Sequence, residues 1–319
     1  MIVLAADIGG TNSRLALVEL DGGGPRLIER MSAPSRSLHS LGAVTRKFLD
    51  GKRVPTRACF AVAGPVANGM VKATNLPWII ESRALATEIG IPRTHLINDF
   101  AAIGEAIPFL ATGDLASLQT GVRNPTGPIA LIGAGTGLGE GFLFHDGNGY
   151  RVCESEGGHA TFAARTEREW RLYSFLETRV GPVSWERVLS GQGLVAVYDC
   201  LSETSSGEEP AAISARGLAG TDPVAVETLD LFAAVYGAQA GNLALTVLAT
   251  GGVYIAGGIA PKLIAKLRDD TFMAAFRSKG ELEPFLTRVP VDVIMNPDAG
   301  LLGAAAVAAR EFTTANGDA

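Results

Sequence analysis

IVLAADIGGTNSRLALVEL, residues 2–20, decides the fold. It reads as an apolar strand, a tight turn on Gly9-Gly10 and a second apolar strand. Working outward, residues 26–32 suit a third strand and residues 38–50 an amphipathic helix. Residues 58–63 and 95–97 are short apolar strands, the second leading into a helix over 100–107. The opening pattern returns at IALIGAGTGLGEGFLF, residues 129–144. The two copies share few identities, yet two strand–glycine turn–strand units in one chain suggest a duplicated architecture. Beyond them the chain turns helical. Thr166 and Glu169 form a capping box ahead of EREWRLYSFLETR. Thr221-Asp222-Pro223 starts a further helix, with proline in its first turn. Residues 253–256 read as a strand closed by Gly257-Gly258 before another helix; 290–295 is the last strand and 300–312 the last helix. Residues 202–210 form a polar loop, and TTANGDA, residues 313–319, a frayed tail. Strands alternating with helices after the hairpins give an α/β class.

Composition narrows the possibilities. A chain of 319 residues suggests two domains or lobes. With 47% hydrophobic and 19% charged residues it buries a large core. A net charge of −6 and a pI near 5.4 argue against nucleic acid, which needs a basic stripe. Cys59, Cys153 and Cys200 are far apart and make no zinc spacing, as expected of thiols in a reducing cytoplasm. Residues 1–7 lack a basic leader and a cleavage site, so no signal peptide is expected. Residues 231–261 carry no charge and are long enough to cross a bilayer. Gln239, Asn242, Thr246 and Gly251-Gly252 interrupt the stretch, however, and it reads as a buried helix followed by a buried strand, with no membrane partner.

Several residues suit chemistry. In the first turn, Gly9 and Gly10 let backbone N–H groups approach an anion, Thr11 adds a hydroxyl, and Asp7 suits Mg²⁺ through water. The plain alternative is a hairpin turn. The second turn, GAGTGLG at 133–139, is neither a Walker loop nor GxGxxG, and makes a second loop of exposed amides or, again, a plain turn. Asp99 follows Asn98 where a strand meets a helix. Taken alone it favours an N-cap; the alternative is a general base for a hydroxyl. Glu156, His159 and Glu186 suit recognition of vicinal hydroxyls, or are solvated charges.

Together these segments resemble the bacterial glucokinases, in the enterobacterial-type branch of the hexokinase/actin-like ATPase superfamily. The resemblance rests on ADIGGTNSRLAL (6–17), FAVAGPV (60–66), TNLPW (74–78), LINDFAAIGEAIP (96–108), GAGTGLG (133–139), EGGHATFA (156–163), ERVLSGQGL (186–194), GNLAL (241–245), VYIAGGIAPKL (253–263) and GLLGAA (300–305). It implies a two-lobed actin-like ATPase (ribonuclease H-like) α/β fold with the active site in the cleft. Residues 1–109 plus 300–319 would form the small lobe and 110–299 the large one. It implies that Asp99 is the base for the glucose 6-hydroxyl, and that Asn98, Asp99, Glu156, His159 and Glu186 bind the sugar. Ala6, Asp7, Ile8, Gly9, Gly10 and Thr11, with Gly135, Thr136 and Gly137, would hold the ATP phosphates, Asp7 lying near Mg²⁺. Gly257 and Gly258 would let the nucleotide approach the backbone. A cytoplasmic homodimer is implied. The related ROK kinases carry clustered cysteines soon after the matching histidine; ATFAARTEREW has none, so no zinc is expected and that branch is rejected. No helix-turn-helix opens the chain, which argues against a repressor. The alternatives are a broader hexokinase taking mannose or glucosamine, a non-catalytic sugar sensor, and an actin- or chaperone-like ATPase.

Overall fold

The computed structural model describes residues 1–21, 24–74 and 76–310. Asn75, the end of the expected last helix (311–312) and the expected tail (313–319) lie outside them. Along the chain run β1 (Ile2–Ile8), β2 (Asn12–Asp21), β3 (Gly24–Pro34), α1 (Leu41–Leu49), β4 (Arg57–Val62), β5 (Val66–Ala67), β6 (Met70–Lys72), β7 (Ile79–Glu81), α2 (Ser82–Ile89), β8 (Arg93–Asn98) and α3 (Asp99–Ala106). Then come β9 (Leu115–Gln119), β10 (Ile129–Ala134), β11 (Leu138–His145), β12 (Tyr150–Ser155), α4 (Glu167–Val180), α5 (Trp185–Val188), α6 (Gly191–Ser202), α7 (Pro210–Ala219) and α8 (Pro223–Thr246). The last are β13 (Gly252–Ala256), α9 (Ile264–Leu267), α10 (Thr271–Arg277), α11 (Glu283–Leu286), β14 (Val291–Ile294) and α12 (Ala299–Ala309). Two compact units result: Met1–Ala111 with the segment from Asn296, and Thr112–Met295.

The repeat, faint in sequence, is complete in topology. The first unit's sheet runs β3-β2-β1-β4-β8 and the second's β12-β11-β10-β13-β14, with β9 added at its edge. In each, three antiparallel strands lead to two parallel ones.

Strand alternation divides the first unit's core into two faces. Leu4, Ala6 and Ile8 face a cluster with Phe60 and the apolar sides of α1 and α2. Val3 and Ala5 face the other way, with Ala16 and Ala61, against α12. Those small strand residues fit a helix rich in alanine. Gly303 lets α12 approach α3 closely, since a Cβ there would meet the Ala102 carbonyl. Both faces of β1 are therefore covered, which is why it reads as an apolar run as far as Ala6, before Asp7 at its carboxyl end.

In the second unit the charge-free stretch is the buried part of α8, then β13. Among the described residues no helix is long and apolar enough to cross a membrane. Gly237 and Gly241 let the Phe272 and Phe276 carbonyls of α10 press against α8. Ser40, Thr166 and Asp222 accept backbone N–H groups as helix caps. The expected helix over 38–50 is shorter than its pattern, because Ser40 caps it and a 3₁₀ turn at Ser35–Ser37 precedes it. The capping box departs from the usual one, since Glu169 accepts from Arg165 N (2.7 Å), one residue before the cap. After Gly257-Gly258 the chain turns through residue 263 before α9 begins. The two- and three-residue strands β5–β7 are too short to show a period of two.

Candidate active site

In the first unit the candidates gather where β1, β4 and β8 end. Those strands are parallel, and their carboxyl ends are the usual ligand edge of an open α/β sheet. Ala6 and Ile8 are buried in the core. Asp7 pairs in register with Arg14 across the hairpin, and their charged groups lie 3.8 Å apart. Burial pushes the Asp7 carboxyl up to about 6; Arg14 pulls it down, while Asp99 and Asp298 add to the rise. Arg14 Nη1 also donates to Pro297 O (2.5 Å), and Asp298 is held by Arg30 at 2.6 Å. Neither Arg14 nor Asp298 was singled out in the sequence. Counting outward on both sides of the Gly-Gly turn would have paired Arg14 with Asp7; nothing local marks Asp298. Within the turn, Gly9 N donates to Asn12 O (3.0 Å), and Ser35 Oγ donates to Gly9 O (2.6 Å). Thr11 is exposed.

At the start of α3 the helix cap is not where the residue types taken alone favour it. Asn98, not Asp99, is the N-cap: its Oδ1 accepts from Phe100 N (2.8 Å) and Ala101 N (3.1 Å), and its Nδ2 donates to Gly64 O (3.1 Å). Asp99 is the first helical residue, and its Oδ1 accepts the neighbouring Phe100 N at 2.9 Å. Burial raises the Asp99 carboxyl above the ordinary carboxylate range.

The second unit brings its candidates together around the turn between β10 and β11. Gly135 N donates to Gly137 O (2.8 Å), and Gly191 N, at the start of α6, donates to Gly135 O (2.9 Å). Glu186 Oε2 accepts from Leu138 N (2.9 Å). A side chain on Gly137 would strike that carboxylate. Gly158 lies so close to the Leu138 carbonyl that a Cβ there would overlap it. Glu156 and His159 are exposed, with Oε2 and Nε2 3.8 Å apart. Trp185 N donates to Ala160 O (3.0 Å) and Phe162 N to Val183 O (2.9 Å), tying the segment bearing Glu186 to the turn bearing His159. Thr136 is exposed at the turn's tip.

Gly257 completes the group. Its φ is +82°, and a Cβ would overlap the Ala134 carbonyl, which also accepts from Ile259 N at 3.2 Å. From below, the buried Tyr236 hydroxyl accepts from Ala134 N (3.1 Å). Gly257→Ala is therefore expected to cost at least about 1–2 kcal/mol for the backbone alone, with the overlap added. Gly258, beside open space, is the control: alanine there should leave stability within about 0.5 kcal/mol. Denaturant midpoints at constant m-value check both; equal midpoints would remove the close-approach argument.

Among the described residues no group of three or more His, Cys, Asp or Glu side chains is arranged to hold a metal ion. The carboxylate of Asp7 nonetheless suits Mg²⁺, which is commonly held by one or two carboxylates together with phosphate oxygens and water.

Comparison with known proteins bears on this arrangement. The glucokinase family model matches residues 4–311. The glucokinase of Trichormus variabilis is 44% identical over 97% of this chain and 99% of its own. That of Xanthomonas campestris pv. campestris is 41% identical over 96% of this chain and 94% of its own. The crystal structure of a glucokinase from an Antarctic psychrotroph matches with a TM-score of 0.87 at 34% identity, covering 96% of this chain and 98% of that one. A ROK-family glucokinase from Streptomyces griseus, solved with glucose and AMPPNP, shares the fold at a TM-score of 0.66 and 23% identity, covering 97% and 99%. The fold is thus the α/β actin-like ATPase fold of the sugar kinases. With a family match running almost end to end, the chain belongs to the glucokinase family.

Proposed function

We propose that the protein transfers the γ-phosphoryl group of ATP to the 6-hydroxyl of glucose, giving glucose 6-phosphate and ADP. The observation that carries the reading is the division of labour at the start of α3: Asn98 caps the helix, and the half-buried Asp99 carboxylate is left with the one N–H of its neighbour Phe100. In this reading Asp99 accepts the hydroxyl proton as the oxygen attacks phosphorus, which a carboxylate within hydrogen-bond reach does well. Asn98, Asp99, Glu156, His159 and Glu186 bind the sugar hydroxyls. The segment Ala6, Asp7, Ile8, Gly9, Gly10 and Thr11 and the turn Gly135, Thr136 and Gly137 receive the phosphates through backbone N–H groups. Ala6 and Ile8 contribute only backbone, since their side chains belong to the core. The nucleotide lies along Gly257 and Gly258.

Mg²⁺, held at Asp7, supplies charge neutralisation to the phosphates when bound. The reaction is the entry step of glycolysis, in the cytoplasm, and the enzyme works as a homodimer; light scattering at micromolar concentration should give twice the chain mass. A panel of sugars with ATP and Mg²⁺, read by phosphorylated product, tests the activity. Glucose 6-phosphate should dominate. Equal rates with mannose or glucosamine would make the enzyme a broader hexokinase, and fast ATP hydrolysis without sugar would overturn the kinase reading. Elemental analysis should find no stoichiometric zinc; one zinc per chain would contradict the assignment outside the ROK branch.

A further inference from the structure

A line of four polar side chains crosses the second unit's interior, outside the groups given roles above. Lys279 Nζ donates to Asn242 Oδ1 (2.6 Å) and Ala238 O (3.0 Å). Asn242 Nδ2 donates to Gln239 Oε1 (3.0 Å), and Gln239 Nε2 donates to Glu140 Oε1 (2.9 Å). Gln239 and Asn242 sit three apart on α8, hence on one face of it. Glu140 and Gln239 are almost fully buried, at 3% and 5% exposure. The line has one direction. An ammonium only donates and a carboxylate only accepts, so each amide turns its oxygen toward Lys279 and its NH₂ toward Glu140. The arrangement is a one-way chain of hydrogen bonds running from Lys279 through two amides to Glu140, in a low-dielectric setting where such bonds reinforce one another.

Its inner end lies under the turn that carries Glu156 and His159. A Cβ on Gly157 would fall on Glu140 Oε2. Ser155, the register partner of Glu140 between β11 and β12, accepts from Gly157 N through its hydroxyl at 3.0 Å. Leu138, two residues earlier on β11, supports Gly158 in the same close manner. The backbone of the turn thus rests on β11, and the Glu140 carboxylate is one of its points of support.

We propose that the Lys279–Asn242–Gln239–Glu140 line is a positioning device for the turn 156–159, setting the affinity for the sugar without touching it. The proposal rests on the reading that Glu156 and His159 bind sugar. In the full-length protein, Gln239→Met breaks the line with an unbranched side chain of similar length. Small displacements of a binding group are costly, so the KM for glucose should rise about tenfold, with the KM for ATP and kcat within about twofold, as for lost uniform binding. Glu140→Leu should match it. Glu140→Gln, which keeps an acceptor for Gln239, should recover most of the affinity. If Gln239→Met does not fold, Lys279→Met, at the half-buried outer end, gives the same readout. Hydrogen exchange of amides 156–160 without sugar should quicken in each line-breaking variant, and this measurement is independent of the sugar reading. Unchanged exchange, or quickened exchange with an unchanged KM for glucose, overturns the proposal. Quickened exchange in the variants, together with a wild-type protein that has no activity on glucose, defeats the sugar reading and leaves the mechanical link to the turn standing.

Discussion

Asp99→Asn is expected to lower kcat by about 10²–10⁴-fold, the usual share of a general base, while leaving the folded state intact. The structure sharpens this result, because the neighbouring residue does the structural work. Asn98 holds two helix N–H groups and the Gly64 carbonyl, whereas the Asp99 oxygen on Phe100 N can be replaced by an amide oxygen. Asn98→Ala should cost about 1–2 kcal/mol of stability; Asp99→Asn should cost none. Acid–base behaviour gives a second readout. The base works only when ionised, and burial raises the Asp99 carboxyl. On the acid side kcat/KM should therefore fall at a pH above the ordinary carboxylate range, and Asp99→Asn should lose its share of that limb while the share set by Asp7, near 6, remains. A folded Asp99→Asn protein with near wild-type kcat would reduce Asp99 to an ordinary helix residue.

Replacing Glu186 should have the next largest effect. A charge-assisted hydrogen bond contributes roughly 1.5–3 kcal/mol, so Glu186→Gln should lower kcat/KM for glucose about ten- to a hundredfold. A residue that touches only sugar would leave the KM for ATP unchanged. Glu186 also holds Leu138 N and packs beneath Gly137, in the turn assigned to the phosphates. The KM for ATP should therefore rise as well, slightly in Glu186→Gln, which keeps a neutral acceptor, and more in Glu186→Ala, which keeps none. Steady-state kinetics with each substrate varied in turn separates the two effects. A flat KM for ATP in both variants would confine Glu186 to the sugar.

The duplicated strand–turn–strand units and the helix starts at Thr166 and Asp222 were legible in the sequence, as was the family. Each depends on neighbours a few residues apart: apolar periodicity, glycine in turns, and side chains that cap their own helix. That residues 231–261 hold a buried helix and a buried strand was legible too, because polar residues and glycines break what a membrane span would need. Tertiary structure decided which partner each polar group takes. Both Asn and Asp are good caps, so the sequence could not assign the cap between Asn98 and Asp99; the Gly64 carbonyl, 34 residues away, takes the other end of the Asn98 amide. Glu186 reaches Leu138 across 48 residues, and Gln239 reaches Glu140 across 99. Such long-range pairings leave no period in the sequence. They form because a buried polar group without a partner is costly, and only the packed chain brings the partner within reach.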